Sequence, residues 1–560
     1  MTFSLRISRG SSERPFASAS ASAPALALLA ILLLPLVFAG CAKKGSASGS
    51  APGGGNPISG GELVFARGHD SVRLDPGHET DGESFKVIDN IYENLCTYAD
   101  TTTDILPELA YRWDISTDGL VYTFHLRPDV KFHDGTPLNA EAVLFSLDRQ
   151  RDKKPPHPFH SVGGPYTYWQ SMSMDEIVKD IQAVDDSTVV ITLHRRNAPF
   201  LANLAMGFAA IVSPTAARQH GEDFFKRPVG TGPFRFVEWV KDERIVLERN
   251  PDYWGPKAYL DRVVFRSIPE NTVRLLALET GEVMGMDGIN AELAKRLEQN
   301  QAFTLLQQPG MNVGYLAMHC DKPPFDKLLV RQAVNYAVNR EAIVKGLYGG
   351  FGAPAVNAVP PTLWGYNRSV QPYPYDPAKA KELLAQAGFP QGFKTQLYAM
   401  SGPRPYMPDP LKVAEAIQAD LKNVGIDATL KTLEWGTYLD EVQHGKHRMC
   451  LLGWVGDNGD PDNFLYVLLD KESTRVPAQN VAFWRNDRVH ELLVGAQEET
   501  DQAARATAYE EVQQIAHDEA PWVPLAHMTQ LIAFRKGIHG YPMHPTGKIR
   551  FRTVWIEPGA

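Results

Sequence analysis

The chain has 560 residues, which is too many for a single hydrophobic core and enough for two to four domains. Hydrophobic residues make up 44% and charged residues 22% of the sequence, a composition that excludes a multi-span membrane protein. Lysine and arginine number 56 against 65 aspartate and glutamate residues, so nucleic acid is not an expected partner.

The amino terminus predicts export. Basic residues precede an apolar stretch at 25–40, which ends in small residues just before Cys41. An uncleaved membrane anchor is the alternative, but this apolar run is short for a bilayer span. The pattern resembles a bacterial lipoprotein signal, in which residues 1–40 are removed and Cys41 is lipid-modified. The glycine- and serine-rich stretch that follows predicts a flexible tether, so we assign 41–60 to the lipidated cysteine and tether.

The body of the chain alternates extended and helical segments, separated by turns rich in glycine and proline. This is the pattern of an α/β protein. Asparagine or aspartate side chains cap several predicted helices, and glycines end them. The predicted strands are 121–126, 187–194, 244–248, 263–268, 312–319, 393–400, 428–433 and 449–454, and the predicted helices are 139–151, 271–280, 326–338, 340–348, 376–388 and 409–425.

Two charged residues follow neighbouring strand predictions. Arg404 lies just past the strand 393–400, and Asp457 lies just past the apolar strand 449–454. Ligands of open parallel sheets bind at the carboxyl ends of the strands, so a guanidinium and a carboxylate are expected to face one crevice. That combination suits a short zwitterion such as a free peptide, with its ammonium on Asp457 and its carboxylate on Arg404.

Other residues at the same strand ends are candidate pocket walls. Tyr406, Trp435 and Trp454 are aromatic residues that either line a pocket or pack in the core, and Gly456 precedes Asp457 directly. The aspartates of the loop at 457–462 do not have the spacing of an EF-hand calcium site. Asp460 and Asp462 are expected only to cap the backbone of their own loop; Asp457 has the same alternative.

No catalytic, metal or cofactor site is predicted. The sequence contains no zinc-protease, serine-hydrolase or nucleotide-binding motif. The histidine pairs at 157–160 and 444–447 lack a third ligand and are expected to be exposed loop residues. Three cysteines follow Cys41: a bridge between Cys320 and Cys450 and three free buried thiols are the two alternatives.

With these features in hand, the chain resembles the extracytoplasmic solute-binding proteins of peptide ABC transporters, family 5, over nearly all residues from 61 to 556. It is most similar to the dipeptide-binding branch, in which the residues that match Asp457 and Arg404 bind the peptide ammonium and carboxylate. The segments that carry the resemblance are 106–114, 122–135, 230–234, 312–316, 330–338 and 453–464.

The resemblance implies an α/β fold, the two-lobed clamshell of the type II (class C) periplasmic binding proteins, with an extra domain inserted in the first lobe. The expected division has lobe I at 61–92, 228–312 and 528–560, the inserted domain at 93–227, and lobe II at 313–527.

The resemblance also implies a function. It is that of a monomeric, lipid-anchored receptor in the periplasm or cell envelope, which captures dipeptides and delivers them to an ABC permease. At about 3.5 Å per residue, each residue beyond a dipeptide is expected to overshoot the two anchors. An oligopeptide, glutathione or haem receptor of the same family is the alternative, and a hydrolase is a third possibility from another class.

Overall fold

The computed structural model describes residues 56–154, 156–160, 162 and 164–559, which belong to one compact unit. The signal peptide, Cys41 and most of the tether lie outside the described residues. Within the described residues, no helix combines the length and the apolar character needed to cross a membrane.

The strands are numbered in chain order. They are β1 (Glu62–Arg67), β2 (Cys96–Tyr98), β3 (Ile105–Pro107), β4 (Ala110–Ile115), β5 (Val121–Leu126), β6 (Val178–Asp185), β7 (Thr188–Leu193), β8 (Phe234–Val240), β9 (Arg244–Arg249), β10 (Arg262–Ser267), β11 (Gly285–Met286), β12 (Phe303–Pro309), β13 (Asn312–Met318), β14 (Gly352–Pro354), β15 (Phe393–Met400), β16 (Ile426–Leu433), β17 (Met449–Val455), β18 (Trp522–Arg535), β19 (Ile538–His539) and β20 (Trp555–Ile556).

The helices are numbered in the same way. They are α1 (Gly82–Ile91), α2 (Ala140–Asp148), α3 (Thr167–Ser171), α4 (Met174–Ile177), α5 (Phe200–Leu204), α6 (Pro214–His220), α7 (Asn271–Thr280), α8 (Ala291–Glu298), α9 (Leu328–Ala337), α10 (Arg340–Leu347), α11 (Pro377–Gln386), α12 (Pro410–Asn423), α13 (Trp435–Gln443), α14 (Asp462–Leu469), α15 (Asp487–Glu498) and α16 (Gln502–Glu519).

Capping side chains set several helix ends as the sequence predicts. Asn139 accepts a hydrogen bond from the backbone of Ala142 at the start of α2, and Asp376 and Asp409 cap α11 and α12 in the same manner. Gly281 ends α7 with φ of 83°, in the left-handed region that favours glycine. These local signals place the ends of the helices within a few residues of the predicted bounds.

A large mixed sheet organises most of the chain. Its strand order is β16-β15-β17-β13-β18-β11-β1-β10-β9-β8, and β12 and β14 also pair with β18. β15 runs parallel to both β16 and β17, whereas β13 and β17 are antiparallel. β17 is therefore a central strand with hydrogen-bonded neighbours on both sides, as its uninterrupted apolar sequence predicts.

β18 joins the two halves of this sheet. Its first part, from Trp522 to Met528, pairs with β13 and β14, and its second part, from Thr529 to Arg535, pairs with β12. The expected lobe boundary between 527 and 528 falls inside this continuous strand. The residue bounds of the two lobes stay a prediction.

A smaller sheet has the order β4-β5-β7-β6 and packs against α2. Residues on β5 alternate between half-buried and buried, the pattern of a strand with one face on a core. The buried apolar residues between Leu95 and Ile211 form a hydrophobic cluster of their own. This cluster lies within the range 93–227 that was predicted as the inserted domain.

Candidate functional site

The two predicted anchor residues follow neighbouring parallel strands. β15 and β17 are paired in parallel, with Leu397 opposite Met449 and Tyr398 opposite Cys450. Both strands therefore end at the same edge of the sheet, β15 at Met400 and β17 at Val455, and the loops that begin there carry Arg404 and Asp457. The prediction that these two loops leave one edge of one sheet is confirmed.

Asp457 is half-buried, and both of its carboxylate oxygens accept a hydrogen bond. The Tyr168 hydroxyl donates to Oδ1 over 2.8 Å, and the Asn463 side-chain amide donates to Oδ2 over 3.2 Å. The Asp457 backbone N–H in turn donates to Asn463 Oδ1. Burial raises the pKa of Asp457 to about 6, although the hydrogen bonds from Tyr168 and Asn463 act in the opposite direction.

A cavity of about 270 Å³ lies against Asp457. Its walls come from four distant parts of the chain: 80–89, 168–208, 405–457 and 546–548. A polar group facing a mostly apolar cavity where separate segments meet is the usual form of a small-molecule site. The cavity is therefore the place where a ligand of Asp457 would lie.

Aromatic side chains form one wall of this cavity. The rings of Tyr168 and Phe208 are nearly parallel with centroids 6.0 Å apart, and Phe85 meets Tyr168 edge-on at 5.9 Å. None of the three was predicted as a site residue, because they come from separate segments that only the fold brings together. The aromatic run at 166–169, which lies outside any predicted strand or helix, was the one local signal for Tyr168.

The lysines of the cavity wall already have carboxylate partners. Lys86 Nζ lies 2.6 Å from a Glu83 oxygen and 2.5 Å from an Asp287 oxygen, and Lys548 Nζ lies 2.7 Å from Asp89 Oδ1. Because these charges are neutralised inside the wall, neither lysine is a good anchor for a ligand carboxylate.

Arg404 differs from these lysines. Its backbone N–H and C=O bond to Met407, which fixes the turn, and its guanidinium carbon lies 3.6 Å from the centre of the Trp435 ring. Burial lowers its pKa, but a guanidinium remains protonated at neutral pH. Pro405, the next residue, lines the cavity, whereas Arg404 itself does not.

The remaining predicted site residues have different environments. Gly456 borders the cavity, and a Cβ atom there would lie 2.6 Å from the Phe464 ring. Trp454 is half-buried and donates a hydrogen bond from Nε1 to Asn463 Oδ1 over 3.1 Å. It therefore helps to orient Asn463, which donates to the Asp457 carboxylate. Trp435 is half-buried at the start of α13 and contacts Arg404.

Tyr406 was expected either to line a pocket or to pack in the core, and the structure places it in the core. Only 6% of its surface is exposed. Its ring packs on Gly453, and its backbone oxygen lies over Gly314, a glycine that is opposite Gly453 in the pairing of β13 and β17. Two facing glycines leave the space that the tyrosine fills, which a sequence taken strand by strand does not reveal.

The loop aspartates do more than cap their own backbone. Asp460 does accept from the Asp462 backbone N–H, but it also forms a buried ion pair with Arg505 at 2.7 Å. The Asp462 carboxylate accepts from the Gln497 side chain instead of from its own loop, and burial raises its pKa to about 7. The expectation for these two residues was therefore incomplete for Asp460 and wrong for Asp462.

The match to known proteins identifies the family. The sequence profile of the bacterial extracellular solute-binding proteins, family 5 Middle, matches residues 104–475. The chain belongs to this family. It is 41% identical over 479 residues to the dipeptide-binding protein of Escherichia coli (strain K12), which spans 83% of this chain and 89% of that protein. It is also 38% identical over 547 residues to heme-binding protein A of Haemophilus influenzae, with 95% and 99% covered.

A solved structure supports the same family assignment. The periplasmic binding protein DppA of Helicobacter pylori, an ABC transporter-associated protein in complex with the peptide STSA, superposes with a TM-score of 0.78 at 43% identity. The match covers 89% of this chain and 99% of that one. The α/β, two-lobed fold is thereby confirmed, and the chain is a member of an extracytoplasmic family of transport binding proteins.

Within this family 5 protein, the described residues hold no group of three or more metal-ligating side chains. The described cysteines, Cys96, Cys320 and Cys450, are free, as the second of the two alternatives has it, but only Cys96 and Cys450 are buried and Cys320 is half-buried. The expectation that the histidines at 444–447 are both exposed is wrong for His447. That residue is fully buried, with Nε2 bonded to the Val481 carbonyl over 2.9 Å.

Proposed function

We propose that this protein is the substrate-binding component of an ABC transporter, which captures dipeptides and other short peptides and delivers them to a membrane permease. One observation carries the proposal. Arg404 and Asp457 follow adjacent parallel strands, and Asp457 faces a cavity whose lysines already have carboxylate partners. Among the relatives, the Escherichia coli protein is named for dipeptide binding.

The roles of the two residues follow from their charges. Asp457 would pair with the peptide ammonium, because each of its carboxylate oxygens accepts one hydrogen bond from the described residues and keeps a free lone pair. Arg404 would hold the peptide carboxylate through two parallel N–H donors. Gly456, Trp435 and Trp454 would border the peptide between these anchors.

The size of the cavity supports a short ligand. A volume of about 270 Å³ lies just below the usual range of ligand pockets, which is about 300 to 1,000 Å³. A dipeptide spans about 7 Å between its termini, and every further residue adds about 3.5 Å. Haem is a larger ligand than this cavity favours, although the Haemophilus influenzae relative is named for it.

The cellular setting belongs to the same proposal. Cys41 would carry the lipid anchor, the tether would give the binding domain reach, and the protein would act as a monomer at the membrane surface. It would bind its peptide without hydrolysing it, since no catalytic motif is found in the sequence.

The test is calorimetric titration of the purified protein with dipeptides, tripeptides, a tetrapeptide and N-acetylated dipeptides. The tetrapeptide is included because the Helicobacter pylori relative carries one. We expect free dipeptides to bind and N-acetylation to abolish binding, because acetylation removes the ammonium charge. Equal binding of acetylated and free dipeptides would contradict the ammonium anchor.

A pair of matched variants localises the effect. Asp457→Asn keeps the size of the side chain but removes its charge, and it should weaken dipeptide binding at least a hundredfold, since breaking one side of a buried ion pair costs about 3 to 5 kcal/mol. Asp462→Asn is the control, because Asp462 lies in the same segment and bonds to Gln497, away from the cavity. Binding of haemin that survives Asp457→Asn, without dipeptide binding by the parent, would favour the haem alternative.

A further inference from the structure

The guanidinium of Arg404 packs on an aromatic ring and forms no ion pair with a described residue. Its guanidinium carbon lies 3.6 Å from the Trp435 ring centre, the shortest such distance in the described part of the chain. Other arginines that lie over tryptophans also have polar partners. Arg505, 5.0 Å from Trp364, pairs with Asp460, and Arg127 donates to a backbone carbonyl.

The Arg404 side chain lacks such partners. Its Nε atom is buried without a hydrogen-bond acceptor, and no carboxylate lies within ion-pair distance of it among the described residues. Glu434 is the carboxylate whose charge acts on Arg404 most directly, but its Oε2 accepts from the backbone N–H groups of Gly436 and Thr437. Glu434 thus caps α13 and leaves Arg404 without a counter-ion.

Trp435 is itself fixed in place. It is the first residue of α13, and its ring is nearly parallel to that of Tyr438, with centroids 5.9 Å apart. Tyr438 is fully buried, and its hydroxyl donates to the carbonyl of Leu451 on β17 and lies 3.3 Å from the carbonyl of Tyr398 on β15. The two strands that lead to the anchors therefore also hold the ring on which Arg404 lies.

We propose that Trp435 is the positioning residue of the carboxylate anchor. Its face replaces a counter-ion, so the N–H donors of Arg404 stay available and in one place until a ligand carboxylate arrives. The inference rests on the proposed function, because it assumes that Arg404 binds the peptide carboxylate. It also sets the ligand class: the protein should select peptides with a free carboxyl terminus over their amides.

The experiment compares a dipeptide with its C-terminal amide, for example Ala-Leu and Ala-Leu amide, by calorimetry. Trp435→Leu should lower the affinity for the free dipeptide about tenfold, since a desolvated cation–π contact contributes about that factor to an affinity. The affinity for the amide should change less than twofold in the same variant, because the amide makes no ion pair with Arg404. Trp435→Tyr, which keeps an aromatic face, should retain most of the affinity.

Further variants separate the possible failures. Trp435→Leu combined with Arg404→Gln should bind no more weakly than Arg404→Gln alone. If Trp435→Leu weakens acid and amide equally, Trp435 is only a wall of the pocket and the inference is overturned. If Arg404→Gln does not reduce the preference for acid over amide, the carboxylate anchor of the proposed function fails, and the role of Trp435 fails with it. Trp113→Leu, in the smaller sheet, controls for the loss of a half-buried tryptophan.

Discussion

At the scale of single residues, the proton affinity of Asp457 is the property that matters most for the proposed ammonium anchor. Burial holds its pKa at about 6, above the usual value for an aspartate, and the hydrogen bonds from Tyr168 and Asn463 keep it from rising further. The carboxylate is therefore ionised at neutral pH but protonated in mild acid. A protonated carboxyl group cannot pair with an ammonium ion.

This predicts a pH-dependent affinity. Because the ligand binds only the ionised form, the dissociation constant for a dipeptide should be about tenfold higher at pH 5 than at pH 7. Calorimetry at several pH values would give the midpoint near pH 6. In Asp457→Asn, the remaining weak affinity should show no such dependence; a wild-type affinity that stays constant between pH 5 and 7 would contradict the assignment.

Tyr168 should tune this midpoint. Tyr168→Phe keeps the ring between Phe85 and Phe208 but removes the hydroxyl that donates to Asp457. Losing that donor should move the midpoint to higher pH and weaken binding at pH 7 about fivefold, as expected for one hydrogen bond to a charged group. Tyr466→Phe on α14 is the control; equal midpoints for both variants would show that Tyr168 only fills space.

At the scale of elements, the facing glycines of β13 and β17 decide how the Arg404 loop is seated. A Cβ atom on Gly453 would overlap the Tyr406 ring and lie 2.5 Å from the Val313 carbonyl oxygen. Since Tyr406 is two residues beyond Arg404, displacing its ring would move the loop. The spacing of these strands thus helps to set the position of the loop that carries Arg404.

Gly453→Ala should therefore lower both stability and affinity. We expect the free energy of unfolding to fall by about 1 to 3 kcal/mol, as for an overpacked core, with weaker dipeptide binding. Gly495→Ala is the contrasting variant: that glycine lies within α15 with open space around it, so alanine should stabilise the helix by up to about 1 kcal/mol. Denaturant unfolding of both variants checks this. A Gly453→Ala protein as stable as the wild type would show that Tyr406 is easily displaced.

The elements also show what the sequence can predict. Helices α11 and α12 were found because their caps, Asp376 and Asp409, are local signals, and β17 was found because it is apolar on both faces. β18 was missed, because Pro524, His527 and Gln530 interrupt its apolar pattern and its partner strands lie far away in the chain.

The site divides in the same way. The positions of Arg404 and Asp457 at one sheet edge were predictable, since each comes within a few residues of the end of a predicted strand. Tyr168 and the Trp435 contact with Arg404 were not, because each is a meeting of side chains from separate elements. The position of Tyr406 in the core depended on a cross-strand glycine pair.

At the scale of the whole molecule, buried histidines make the fold sensitive to acid. Burial lowers the pKa of His133 and His527 to about 4, and that of His319, His447 and His544 to about 3. The unfolded chain binds these protons near pH 6.5, whereas the folded chain does not. Stability is therefore fully present above pH 6.5 and is lost as the pH falls toward 4.

His447→Gln should reduce this loss, because glutamine can still donate to the Val481 carbonyl but does not titrate. Between pH 7.5 and pH 5, the variant should lose about 1 to 2 kcal/mol less stability than the wild type. Chemical unfolding at both pH values measures the difference. His444→Gln on the exposed surface should behave as the wild type; equal pH dependence in all three proteins would mean that His447 is protonated in the folded state.

The pairing of β15 with β17 has a kinetic consequence. Hydrogen-bonded strands lie about 4.8 Å apart, and the loops that carry both proposed anchors start from these two paired strands, so we expect the anchors to keep their spacing however the other walls of the cavity approach. The length of a peptide is then compared with the spacing of the anchors as soon as the peptide contacts this edge of the sheet. A peptide of the wrong length reaches only one of the two anchors and should dissociate quickly. We therefore expect peptides of different length to differ mainly in their dissociation rate from the first complex that they form with the protein.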